Sequence, residues 1–99
     1  MFPPALLAVL SERAVADYDL KVRRAALHAT AEGWRDHPTT LPWLHDRAVH
    51  DRHRDVRRMA VEAIATHWPD DPATALLLSD RVDNDDDPTV RDAAADALP

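Results

Sequence analysis

The line VRRAALHATAEGWRDHP, residues 22–38, returns as VRRMAVEAIATHWPDDP at 56–72, and VRDAAADALP opens it a third time at 90–99. The starts Val22, Val56 and Val90 are spaced 34 residues apart both times. Residues 17–50 laid over 51–84 without a gap agree at 14 of 34 positions. Several positions run through three copies: Pro4, Pro38 and Pro72; Leu10, Leu44 and Leu78; Arg13, Arg47 and Arg81; Asp17, Asp51 and Asp85; Arg23, Arg57 and Arg91. A period of this size means stacked units, none of which can bury its apolar face alone.

Each unit reads as two helices. The first follows the repeated proline, which suits a first turn because its missing N–H would have no partner there. Its apolar stripe is Leu6, Leu7, Leu10 and Ala14, then Leu41, Leu44 and Ala48, then Ala75, Leu78 and Val82. Pro42 fits only if that helix begins near Thr39 or Thr40. The second helix starts after a polar loop, capped by Asp19, by His53 less well, and by Asp87 ahead of Pro88. Its stripe is Val22, Ala26 and Ala29, then Val56, Ala60, Ala63 and Ile64, then Val90, Ala94 and Ala97. Gly33 reads as a helix stop. The spacing predicts six helices, at about 4–15, 20–32, 39–49, 54–67, 72–82 and 88–98.

Composition narrows the function classes. The formal net charge of −6 argues against a surface that tracks nucleic-acid phosphates or anionic lipid. No apolar run is long enough to span a bilayer, and the opening MFPPALLAVLSER, lacking a positive n-region, reads as part of the fold. With no cysteine, disulfides and thiolate metal sites are excluded, which is compatible with a cytoplasmic protein. One glycine in the whole chain leaves no phosphate-cradling loop. The bias toward alanine, arginine, aspartate and proline points to GC-rich coding DNA and a bacterial source.

Thirty-four is also the tetratricopeptide period, but that pattern places its Trp, Gly and Tyr early in a first helix, and Trp34 and Trp68 fall after helices. The string D-x-x-x-x-V-R-x-x-A, over Asp17–Ala26, Asp51–Ala60 and Asp85–Ala94, resembles the HEAT-like repeats of the PBS-lyase type and covers nearly the whole chain. The resemblance implies an all-α, right-handed alpha-solenoid of about three helical hairpins. The chain would then be one domain over 1–99, with units of roughly 1–33, 34–67 and 68–99, and a fragment or short form of a longer array. It also implies a ladder between units carried by Asp17, Asp51 and Asp85 with Arg23, Arg57 and Arg91. Spacing alone adds i, i+4 pairs at Arg13–Asp17, Arg47–Asp51 and Arg81–Asp85. The fuller pattern, Trp, Asp and Pro ending one unit and L-x-D-R-A-V (Leu44 to Val49) opening the next, is similar to the carboxyl-terminal HEAT arrays of bacterial NACHT-type NTPases. There such arrays serve as sensor or scaffold arms; no nucleotide-binding part is present here.

Candidate chemistry is sparse. His45, His50 and His53 lie close in sequence, but a helix break separates the last two, and solvated loop histidines are the better reading. DNDDDP at 83–88 fails the calcium-loop pattern, with Pro88 where glycine belongs and Ala94 where glutamate belongs. HEAT-like hydroxylases carry His-Glu pairs, and no His-Glu dipeptide occurs; no residue set marks a bilin site; HEAT-like DNA glycosylases need a basic face. Ser11 and Ser79 sit in no nucleophile elbow. The expected catalytic, cofactor and metal sites are none. Trp34 and Trp68 recur with the period and are expected in packing between units, which leaves Trp43 the most exposed of the three.

In HEAT-like stacks the second helices line the concave face. Off the apolar stripe they carry a charged column, Arg24/Arg58/Asp92 beside His28/Glu62/Asp96, and an apolar column, Leu27/Val61/Ala95. An apolar seam edged by charge suits a helix or peptide laid along a groove. The leading expectation is therefore a non-catalytic protein–protein interaction or scaffold module. Its candidate partner face is Arg24, Leu27, His28, Arg58, Val61, Glu62 and Asp92. Its partner is a protein or peptide, not nucleic acid or membrane, with end-to-end self-association through uncapped terminal units. The alternatives are a lyase- or hydroxylase-type enzyme module and a purely structural spacer.

Overall fold

A computed structural model describes residues 19–99, and their regular structure is helical throughout, with no strand. The five described helices are α1 (Leu20–Gly33), α2 (Thr40–His50), α3 (Arg54–His67), α4 (Pro72–Asn84) and α5 (Pro88–Ala97). The expected helix at 4–15, with Arg13 and Asp17, lies outside the described residues.

The helix starts follow capping chemistry. Asp19, Asp71 and Asp87 accept from the backbone N–H of Lys21, Ala73 and Thr89 at 2.8, 2.9 and 2.8 Å. His53 does the same with Nδ1, accepting from Asp55 N at 3.1 Å. Pro72 and Pro88 occupy the first turns of α4 and α5. Pro42 stays within the first turn of α2, which starts at Thr40. Gly33 departs from expectation. It is the last residue of α1, it has no positive φ, and the closing bond runs from Trp34 N to Thr30 O at 3.1 Å. The helix therefore ends without the left-handed residue for which glycine is usually chosen.

The hairpins pair α2 with α3 and α4 with α5. Helix α3 also lies against α1 on one side and α5 on the other, so the second helices stack through the middle of the molecule. Leu27, Leu44, Val56, Val61, Ile64 and Val90 are fully buried and form one cluster with Ala48, Ala60 and Ala94. Alanine at these places lets helix axes approach closely. A repeated clamp joins consecutive units. The Thr40 hydroxyl donates to Trp34 O at 2.6 Å, and the Thr74 hydroxyl donates to Trp68 O at 2.7 Å.

Three packing expectations need correction. Ala75 is exposed, because the buried face of α4 is Thr74, Leu77, Leu78 and Arg81, and position 75 falls off that i, i+3, i+4, i+7 stripe. Val22 is 40% exposed although its counterparts Val56 and Val90 are fully buried. Trp43 is half-buried against the core, as Trp68 is, while Trp34 is buried, so Trp43 is not set apart as a surface residue.

Candidate functional site

Two Asp–Arg rungs join the units. In the upper one Arg57 Nε and Nη2 donate to Asp85 Oδ2 and Oδ1, both at 3.2 Å. The same guanidinium donates through Nη1 to Asp51 O at 2.9 Å and through Nη2 to Asp86 Oδ1 at 2.9 Å. Arg81 Nη1 adds a third side-chain donor to Asp85 Oδ2 at 3.1 Å, and Asp87 N a backbone donor to Oδ1 at 3.0 Å. The lower rung repeats the plan less tightly. Arg23 Nη2 stands 3.8 Å from Asp51 Oδ1, Arg47 Nη1 donates to Asp51 Oδ2 at 3.4 Å, and His53 N donates to Oδ1 at 2.9 Å. Arg91 donates to Asp85 O at 2.7 Å, as Arg57 does to Asp51 O.

These contacts set the charge state of the upper rung. Burial works against ionisation of Asp85, but the bonds from Arg57, the Asp87 N–H and Arg81 outweigh it and hold the carboxyl below the usual carboxylate range. Hydrogen bonds from Arg81 and Asn84 lower Asp80 likewise. Both aspartates therefore stay ionised at neutral pH, and Asp85 lies in a buried ionic network.

The seven residues of the expected partner face divide in two. Arg24, His28, Glu62 and Asp92 are exposed and Arg58 is half-buried, so the charged column reaches solvent on α1, α3 and α5. Arg58 Nη1 donates to Glu62 Oε1 at 3.2 Å, an i, i+4 pair within α3. Leu27 and Val61 do not reach solvent at all. They sit in the core cluster and cannot line a groove. The expectation of a groove assumes a buried stripe one column wide. A helix sandwiched between two neighbours buries two stripes, and the second column is the seam between units.

The histidines expected to lie free in the loop have separate environments. His50 is exposed and His53 caps α3, while His45 on α2 is half-buried with Nε2 buried and, among the described residues, without a hydrogen-bond partner. Burial lowers the pKa of His45, partly countered by Asp71. Among the described residues no three His, Asp or Glu side chains are gathered to hold a metal. An open cleft of about 450 Å³ lies beside the upper rung, lined by Arg52, His53, Arg54, Arg57, Asp86 and Asp87. Its charges largely answer each other, with Arg54 Nη1 3.8 Å from Asp87 Oδ2 and Arg57 bonded to Asp86. No described helix is long and apolar enough to cross a membrane.

Thr40 and Thr74 escaped the sequence reading although they are identical at the repeat period. They were legible as a recurrent pair six residues after a recurrent tryptophan.

Among known proteins, a family model described as HEAT repeats matches residues 5–99. No curated protein matches the chain, and no solved structure does.

Proposed function

This chain belongs to the HEAT-repeat family, and from that premise we propose that it is a non-catalytic docking module for a protein partner. HEAT repeats generally mediate protein–protein interaction, and the observation that carries the reading here is the charged column. Arg24, Arg58 and Asp92 stand at one register on three successive second helices, flanked by His28, Glu62 and Asp96. The column is basic at one end and acidic at the other. A partner helix or extended peptide of opposite polarity would be both steered and oriented by it. Exposed pairs such as Arg58–Glu62 contribute little to folding, about 0.3–0.5 kcal/mol, so these side chains can be recruited by a partner at small cost.

The finer reading is a sensor or scaffold arm of a bacterial, cytoplasmic NACHT-type NTPase, supported by the Trp-Asp-Pro and L-x-D-R-A-V pattern. It requires a nucleotide-binding domain encoded upstream in the same reading frame. The docking face is tested by pull-down from the source cell with the parent chain and with Arg24→Glu/Arg58→Glu. Loss of a specific partner with helicity unchanged supports the face. If every bound protein survives the charge reversal, the column is a solvated ridge and the spacer reading replaces it.

A further inference from the structure

The two described hairpins cap their helices with different chemistry at the same register. His37 stands one 34-residue period before Asp71, and His53 one period before Asp87. All four side chains accept from the backbone N–H two residues on. Asp71 Oδ1 takes Ala73 N at 2.9 Å and Asp87 Oδ1 takes Thr89 N at 2.8 Å. His37 Nδ1 takes Thr39 N at 3.2 Å and His53 Nδ1 takes Asp55 N at 3.1 Å. A backbone N–H can only donate, so each ring must present a bare Nδ1 and be neutral. A proton on Nδ1 turns that acceptor into a donor. The Thr39 hydroxyl, 2.8 Å from His37 Nδ1, can then reverse its role, but the Thr39 N–H cannot.

The surroundings decide what a protonated ring would meet. Asp55 Oδ2 stands 4.0 Å from His53 Nδ1, near enough to hold the charge but not to replace the acceptor that Asp55 N loses. Arg52, Arg54, Arg57, Asp86 and Asp87 share the cleft with His53. Its acids are already engaged, Asp87 by Arg54 at 3.8 Å and Asp86 by Arg57 at 2.9 Å. His37 has Arg35 and Asp36 beside it in the chain, and among the described residues the bonds of its ring run to Thr39. A positive ring at a helix start also opposes the helix dipole. The backbone at His53 is tied separately, its N–H to Asp51 Oδ1 at 2.9 Å and its carbonyl to Arg57 N at 3.1 Å. The ring can therefore let go while the loop stays in place.

We propose that hairpin α2–α3 carries an acid-released pair of caps: proton uptake by His37 and His53 frees the first turns of α2 and α3, while the aspartate caps of α1, α4 and α5 hold. An ordinary imidazole takes its second proton at about pH 6.5 and an ordinary aspartate at about 3.9, which leaves a window in which only the histidine caps open. The bonds from the Thr89 hydroxyl and N–H hold Asp87 below the usual carboxylate range and widen that window at α5. A bond made only by the neutral ring makes folding favour the neutral ring, so this stability is present above the window and is lost as pH falls through it. The device does not rest on docking at Arg24 and Arg58.

The test is urea unfolding of the 99-residue chain and of His37→Asn/His53→Asn at about pH 7.5 and about pH 5, on either side of the imidazole value and above the carboxyl one. Asparagine caps as well as aspartate and does not titrate. Each lost cap lowers the folded-to-unfolded ratio about fivefold, so the parent should lose about tenfold or more beyond what the double variant loses. His45 is present in both proteins, and its contribution cancels. Parallel losses overturn the proposal. Amide NMR of the parent over the same range is the second reading. The Thr39 and Asp55 N–H signals should move toward positions without a hydrogen bond while Ala73 and Thr89 hold still. No movement, or equal movement at all four, overturns the proposal, and this reading decides the matter if the double variant fails to fold.

Discussion

Asp85→Ala is the most informative single change in this molecule. The carboxylate is buried and accepts four hydrogen bonds, two from Arg57, one from Arg81 and one from Asp87 N. Truncating it strands two guanidinium groups whose side chains are about nine-tenths buried. Removing one partner of a buried pair costs about 3–5 kcal/mol. The lower end applies, because Arg57 keeps Asp86 and the Asp51 carbonyl and Arg81 keeps Asp80. A domain of this length has roughly 5–15 kcal/mol of stability in total. A loss of about 3 kcal/mol then lowers the midpoint of thermal unfolding by roughly 12–24 °C. Helical circular dichroism during heating and urea unfolding measures it, with Asp86→Ala as the control. The Asp86 side chain is 90% exposed, so its loss should cost about 0.5 kcal/mol or less. Acid provides a second readout. The folded-state pKa of Asp85 is depressed, so its contribution is present above the unfolded value near 3.9 and is lost as pH falls through the folded value. The parent should converge on Asp85→Ala in that acid range. If Asp85→Ala lies within about 1 kcal/mol of the parent at neutral pH, or matches Asp86→Ala, the rungs do not hold the units together.

Three further outcomes follow from the same structure. Leu27→Ala should cost about 2–5 kcal/mol in urea unfolding, while Ala95→Ser, in the same sequence column, stays within about 0.5 kcal/mol; equal effects would contradict the seam. Thr40→Val removes the donor to Trp34 O and should destabilise by about 1–3 kcal/mol, and a neutral result would mean the clamp is incidental. His45 is held below its usual pKa, so the unfolded chain binds more protons as pH drops below about 6.5, and stability declines through that window. His45→Gln should flatten the decline between neutral and mildly acid urea curves, and a slope identical to the parent's counts against it.

The fold was legible because the repeat supplied its own alignment. Asp51 and Asp85 stood in register with Arg23 and Arg57, and the coordinates bring those side chains to 3.8 and 3.2 Å. Helix starts were legible wherever a short acceptor side chain preceded the first turn, as at Asp71 and Asp87. Leu27 and Val61 were misplaced because periodicity shows which residues share a helix face and not how many neighbours that helix has. A surface helix hides one stripe, but α3 has hairpin partner α2 and stacking partners α1 and α5, and it hides most of its circumference. The charged column was legible for the complementary reason. Arg24, Glu62 and Asp92 occupy the remaining arc, where no partner could satisfy a buried charge.

The seam and the rungs perform different tasks. The apolar contact between second helices is built largely from alanine and valine repeated at helical spacing, with Ala60 and Ala94 at equivalent places on α3 and α5. Such a surface looks nearly the same after a shift of one turn, so burial alone discriminates weakly between the correct stacking and a slipped one. The rung does not tolerate the shift. A displacement of one turn, about 5.4 Å, would carry Asp85 out of reach of Arg57 and leave opposite charges buried without partners. That penalty, more than any gain over an apolar pair, is the reason to bury an aspartate between two arginines at every joint. It also fits the recurrence of the acids and bases with the period while a buried position changes from Leu27 to Val61. Volume at the seam can drift by a methyl group or two, but the joint that sets the stacking register cannot lose either charge.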